Sequence, residues 1–294
     1  MAQRTVARSV SCSGIGLHSG AEASFLVAPA PPGSGILLTA PSQRKALRAS
    51  VVQVQSTRLS TTLGEGSFSI RTVEHLLSAL AGAEIDNALV TVMGGEIPIM
   101  DGSALPFVSL LREAGSVEQD APRRVIRLLE TLSLEEGEKF IRIRPAESTS
   151  ISFTIRFDHP AISEQSYTYF PSREAFRRDI APARTFGFLR EVERLRSEGL
   201  IRGGSFDNAV VIGEKGILNE QGLRFPDELV RHKILDLIGD FSLLGAPIIG
   251  EIQAYCSGHA LHTEFLQKLL SSPQSRILEE ERQPLSTGLL AIPA

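Results

Sequence analysis

The sequence predicts an α+β fold built as two similar domains. Three observations predict it. Strand-like, β-branched runs occur in both halves, helical apolar stripes also occur in both, and between them apolar content falls and proline appears at residues 119–124 (QDAPRR). That break divides the chain into an N-terminal domain of residues 1–121 and a C-terminal domain of residues 122–294. At 294 residues the chain is long enough to give each its own core.

In the first half, residues 23–27 and 35–39 read as strands joined by a proline- and glycine-bearing surface loop. Residues 72–80 (TVEHLLSAL) read as a helix, with Val73, Leu76, Leu77 and Leu80 as its buried stripe. A strand follows at 86–93, a turn-rich connection at 96–103, and a helix at 105–114 that Gly115 stops. The second half opens with strands at 125–130, 139–145 and 150–157. Helical stretches come after Ser172 and at 191–197, and the clearest helix is 227–244, entered behind Pro226. A strand at 248–255 and a helix at 260–270 close the core.

Composition narrows the function. The formal net charge is −4, with both signs mixed and no basic block, which argues against a nucleic-acid partner and leaves any anionic ligand to a local basic cluster. No Trp and only three Tyr argue against a broad aromatic platform for a sugar. Cys12 and Cys256 are far apart, so a disulfide framework and a cysteine-rich zinc site are excluded, and a metal must be held by carboxylates and some of six histidines. No apolar segment follows the charged N-terminus and none reaches membrane-spanning length. The expectation is a cytoplasmic protein with a small-molecule substrate, no stable membrane insertion and no protein partner.

On the 227–244 helix, His232, Asp236 and Asp240 share one ~80° stripe, with Lys233 beside it. His and Asp one turn apart can share a metal ion, although the same pattern taken alone more often marks a solvated charged face. The 72–80 helix adds Glu74 and His75, about 100° apart and off its apolar stripe. A histidine that holds an ion beside a carboxylate that takes a proton suits a hydrolase; an exposed Glu-His pair is the plain alternative. His259 stands between a strand and a helix, where an acid, an anion-binding or a structural role are all open. His18 lies in a turn-rich loop whose Gly-x-Gly is too short for a nucleotide fingerprint. His159, before Pro160, and His262, in the last helix, are not assigned to a metal.

Taken in order, GIGLHSG (14–20), TVEHL (72–76), EIPIMDGSA (96–104), ARTFGF (183–188), GGSFD (203–207), LNE (218–220), RHKILD (231–236) and SGHA (257–260) span nearly the whole chain. This ordered set resembles the UDP-3-O-acyl-N-acetylglucosamine deacetylases, zinc enzymes of lipid A biosynthesis. The resemblance implies two domains, each a small β-sheet layered with a helix pair, with the active site between them. It implies zinc, or Fe2+ in the cell, on His75, His232 and Asp236, with Glu74 as general base. His259 would serve as the charged group or acid at the leaving amine, Asp240 as its holder, and Thr185 and Lys233 as oxyanion stabilisers. An insert at about 184–209 would offer Phe186, Phe188, Leu200 and Ile201 to a fatty acyl chain. His18, Lys139, Phe157 and Asp158 would be further substrate contacts.

Two positions depart from the pattern. Cys256 stands where several relatives carry Lys, removing one expected contact to the UDP phosphates, and Ser60 stands where some carry Cys. Two competing functions remain at this point: a zinc amidohydrolase for another N-acyl compound, and a binding protein with a structural ion. Glu74 counts against the second, because a structural site is closed by a fourth protein ligand.

Overall fold

Two five-stranded sheets with the same strand order form the outer layers of the computed structural model, which describes residues 1–159, 162–272 and 276–280. The predicted C-terminal domain beyond residue 280 lies outside the described residues. The first sheet consists of β1 (Val10–Ile15), β2 (Glu22–Pro29), β3 (Ile36–Thr39), β4 (Leu47–Arg48) and β5 (Ala88–Met93), in the order β1-β2-β5-β3-β4. The second consists of β6 (Leu132–Glu136), β7 (Lys139–Arg144), β8 (Ser150–Arg156), β9 (Glu164–Tyr169) and β10 (Glu251–Tyr255), in the order β6-β7-β10-β8-β9. In each sheet the parallel pair joins the third strand to the fifth, and every other pair is antiparallel. The likeness between halves is therefore one of topology.

One face of each sheet is buried, as strand alternation requires: Ala23, Phe25 and Val27 face the core from β2, and Ile151, Phe153 and Ile155 from β8. Six helices are described: α1 (Glu74–Gly82), α2 (Leu105–Ala114), the single turn α3 (Arg173–Ala175), α4 (Leu189–Ser197), α5 (Glu228–Phe241) and α6 (His259–Ser271). Here α2 packs on β1 and α1, α6 packs on β6, β7 and α5, and α5 packs on β8 and β9. Because α1 and α5 also pack on each other, the helices form the middle of the molecule. Each half adds a three-stranded sheet, with strands Val54–Ser56, Thr62–Glu65 and Phe68–Ile70 in the first and Phe186–Phe188, Val210–Gly213 and Gly216–Ile217 in the second.

The predicted elements fall into place with instructive differences. The strand expected at 248–255 is broken at Gly250, where a Cβ would meet the Arg144 carbonyl at 2.9 Å. Its first part, Ile248–Ile249, pairs with Arg124–Leu128, and its second becomes β10. The polar stretch before residue 122 forms strand Ser116–Pro122, which pairs back on Ala2–Val6 with much of its surface exposed. The helix expected at 227–244 ends at Phe241, passes through one tight turn at Ser242–Leu244 and stops at Gly245, whose φ of 76° is the left-handed conformation glycine adopts freely. Among the described residues no helix is long and apolar enough to cross a membrane.

Candidate metal centre

The crossing of α1 and α5 sets the site. Gly239 lies at that crossing, and a Cβ there would stand 2.1 Å from the Glu74 carbonyl oxygen, so only a missing side chain lets the two backbones approach. Neither helix presents the candidate residues on the solvated face that was the plain alternative. His75, His232 and Asp236 are 4%, 3% and 3% exposed, and Glu74 and Asp240 are equally enclosed. Each helix covers the polar side of the other, which sequence periodicity cannot show for a helix buried all round.

His75, His232 and Asp236 each place one donor atom within 4.8 Å of the other two. His232 Nε2 lies 3.3 Å and His75 Nε2 3.7 Å from Asp236 Oδ1. His232 uses its other nitrogen on the Ala183 carbonyl, 3.1 Å away, which fixes that nitrogen as the donor and leaves Nε2 as a lone pair aimed into the cluster. Asp236 Oδ2 accepts the Lys233 ammonium at 2.7 Å, whereas Oδ1 is buried with no hydrogen-bond donor among the described residues. An orphaned carboxylate oxygen between two imidazole nitrogens fits a divalent cation of the kind that nitrogen and oxygen donors hold. The electrostatics agree. Burial lowers the His232 pKa to about 4, which keeps the ring neutral. Burial works against the Asp236 anion, but the Lys233 ammonium overcomes it and holds the carboxyl well below its usual range.

Beside the cluster lies a hydrogen-bonded set centred on Asp240. Its Oδ2 receives both His259 Nδ1 and His262 Nδ1 at 2.7 Å, and its Oδ1 receives the Thr61 hydroxyl at 2.6 Å. Burial would lower the His259 pKa, yet the charge of Asp240 and the bond to it carry the ring up to about 9. For Asp240, burial is likewise overcome by His259 and His262, and its carboxyl is held low. Burial keeps His262 below the ordinary histidine value, although Asp240 pulls it upward. Glu74 Oε2 accepts the Thr61 backbone N–H at 3.0 Å, and burial raises its pKa, with His259 and His75 opposing. A carboxylate of raised pKa, a charged imidazole and a candidate cation site thus converge at the helix crossing.

The remaining predicted residues lie outside this cluster. Thr185 is half-buried, its backbone bonded to Gly102 and Val210, and it follows Arg184, whose guanidinium makes a fully buried two-pronged pair with Glu228 at 2.8 and 3.0 Å. Glu228 opens α5, so this pair ties the 183–188 motif to the helix bearing His232. Phe186 meets His232 edge-on at 6.2 Å, while Phe186 and Phe188 both pack on Phe157, making an aromatic group next to the cluster. Leu200 and Ile201 follow α4, and the Ile201 N–H lies 3.4 Å from His18 Nδ1. Asp158 and Lys139 are exposed, the latter paired with Glu136 at 3.5 Å. Ser60 is buried, and Cys256 receives the Arg156 N–H at 3.3 Å.

Three contributors escaped sequence reasoning. Thr61 carries no motif, and only the fold brings it to Asp240. His262 had a signal, its i+3 spacing from His259 on one helix face. Glu96 sits in a recognised motif but had no role. Its two oxygens accept the N–H groups of His18 and Ser19 at 2.8 and 2.9 Å and the Thr72 hydroxyl at 3.0 Å, binding the 14–20 loop to the start of α1.

The sequence matches the LpxC family, described as UDP-3-O-acyl N-acetylglycosamine deacetylase, over residues 3–271. Among named relatives, a UDP-3-O-acyl-N-acetylglucosamine deacetylase of Oleidesulfovibrio alaskensis is 50% identical over 271 residues, covering 92% of this chain and 89% of that protein. One from an Anaeromyxobacter strain is 49% identical with the same coverage. One from Syntrophotalea carbinolica is 44% identical over 292 residues, 99% of this chain and 94% of the relative.

Proposed function

The chain belongs to the UDP-3-O-acyl N-acetylglycosamine deacetylase family, and from that premise we propose that it hydrolyses the N-acetyl group of UDP-3-O-acyl-N-acetylglucosamine, releasing acetate and the free amine for lipid A biosynthesis. The observation that carries this reading is the donorless Asp236 Oδ1 facing two imidazole nitrogens, with Glu74 one residue from His75. His75, His232 and Asp236 would hold one Zn2+, with Fe2+ able to replace it in the cell, because neutral imidazole and carboxylate donors accept either. When bound, the ion supplies Lewis-acid activation of the amide carbonyl and of water.

The chain's own groups do the rest. Glu74, its pKa raised by burial, takes the proton of the attacking water. Oxygen adds to the acetyl carbon, the C–N bond breaks, and the leaving nitrogen receives a proton from His259. Asp240 keeps His259 charged until then. Lys233 and Thr185 would stabilise the negative charge that develops on the carbonyl oxygen. The aromatic group of Phe157, Phe186 and Phe188 begins an apolar path for the acyl chain, continued in this reading by Leu200 and Ile201. His18, Lys139 and Asp158 would contact the rest of the UDP-sugar.

The reading keeps a domain boundary near residues 121 and 122. Support comes from the strand Ser116–Pro122 closing back on Ala2–Val6 just before Arg124–Leu128 begins the second half. Residues 184–209 are then the insert of the second domain. A nucleotide-sugar substrate and two free cysteines suit a reducing cytoplasm.

The test is kcat/KM for the acylated UDP-sugar against plain UDP-N-acetylglucosamine, with metal counted. Burying part of an acyl chain at about 25 cal/mol per Å2 supplies several kcal/mol. Loss of the O-acyl group should cost on the order of a thousandfold. Similar values for both substrates would leave a broader amidohydrolase in its place.

A further inference from the structure

A cavity lies between the two halves, and none of the residues placed at the candidate metal centre lines it. It opens over the C-terminal ends of α1 and α5, with Leu80 and Ala81 on one side and Ile238 and Phe241 on the other. We propose that this cavity binds a free medium-length carboxylic acid, its chain between the two helix ends and its carboxylate on Arg48.

The walls decide the class of ligand. They are mostly aliphatic and aromatic, and nearly every polar side chain among them is already occupied. Arg123 holds Asp86 at 2.9 Å, the Thr149 hydroxyl donates to the Ile248 carbonyl, Ser242 to Gly239 and Tyr169 to Ser172. The exception is the Arg48 side chain, which has no ion pair or hydrogen bond among the described residues. Its guanidinium lies against Gly35 of the first half, 2.9 Å from where a Cβ would be, and reaches to 3.7 Å from the corresponding point on Gly245 of the second. An apolar chamber whose one uncommitted polar group is a guanidinium calls for an apolar body with a single anionic end, and a carboxylate matches the fork of donors. The volume of about 210 Å3 is below the roughly 300–1,000 Å3 of pockets for drug-sized ligands, which favours a short flexible chain over a ring system. Binding of an acid in this cavity does not depend on the deacetylase activity.

Calorimetric titration of the full chain with octanoate and with neutral octanamide tests it. Octanoate should bind once per chain and more tightly than octanamide. Arg48→Gln should weaken octanoate about fivefold, the worth of one partly exposed charge pair, and leave octanamide unchanged. Ala81→Phe should weaken both at least about tenfold by filling the space, with an unchanged circular dichroism spectrum as the check of folding. Equal affinity for the acid and the amide, no binding of octanoate, or octanoate affinity unchanged in Arg48→Gln would overturn the proposal. Because Arg48 is exposed, that variant keeps the test sound even if Ala81→Phe fails to fold.

Discussion

Thr61 donates its hydroxyl to Asp240 across 2.6 Å, although 179 residues separate the two in sequence. The same threonine gives its backbone N–H to Glu74 at 3.0 Å, so one residue of the first half positions two charged groups on different helices. Replacing it with valine keeps the backbone donor and removes only the hydroxyl. Thr61→Val should leave metal content and KM near normal and lower kcat roughly ten- to a hundredfold. A kcat unchanged from the parent would show that His259 and His262 alone hold Asp240.

Metal and proton transfer should separate by mutation. His75→Ala, His232→Ala and Asp236→Ala should each bring bound metal well below one per chain and abolish turnover, since three protein ligands leave no spare. Glu74→Gln should keep its metal and lose about two to four orders of magnitude in kcat. Metal analysis beside single-substrate kinetics reads both. Equal loss of metal in Glu74→Gln would make that residue a ligand.

The acid limb of stability should depend on Glu96. Burial would raise its pKa, but the N–H groups of His18 and Ser19 and the Ser19 hydroxyl hold it below the usual 4.5. A carboxyl with a depressed folded pKa contributes stability that is present above the unfolded value and lost as pH falls through the folded one. Thermal midpoints of the parent should therefore drop more steeply than those of Glu96→Gln between about pH 5 and pH 3. Near neutral pH the variant should be less stable by about 1.5–3 kcal/mol, the worth of hydrogen bonds to a charged group. Parallel curves would place the acid sensitivity elsewhere.

Gly239→Ala tests the helix crossing. A methyl group 2.1 Å from the Glu74 carbonyl forces α1 away from α5 and parts His75 from Asp236. The expected result is weaker metal retention together with a destabilisation of about 1–3 kcal/mol, as for overpacking of a tight core. Metal bound at parental affinity would mean that the ligand set tolerates that separation.

Much of this was legible in the sequence. The i,i+4 spacing of His232 and Asp236 and the adjacent Glu74 and His75 are local facts, readable wherever a helix is readable. Paired motifs were legible as motifs but not as partners: GIGLHSG and GGSFD dock backbone to backbone, Gly203 N–H on the Leu17 carbonyl at 3.0 Å, and glycine at 203 avoids the Gly16 carbonyl. The burial of the polar helix faces was hidden, because it depends on which surface covers them. Thr61 was hidden for the same reason, since a threonine before a strand has no periodicity to betray it. The strands at 2–6 and 116–122 were missed because a half-exposed ribbon lacks an apolar run.

The repeated sheet order gives the centre a mechanical meaning. Thr61, Glu74 and His75 come from one copy of the topology, and His232, Asp236, Asp240 and His259 from the other. On the proposed function, neither copy would hold the whole site alone. An ion shared by His75 and the His232–Asp236 pair would therefore act as a cross-link between tandem units, and a chelator would cut that link as well as stop turnover. Swivelling of one unit on the other, on this geometry, is felt first as a change in the spacing of the ligands.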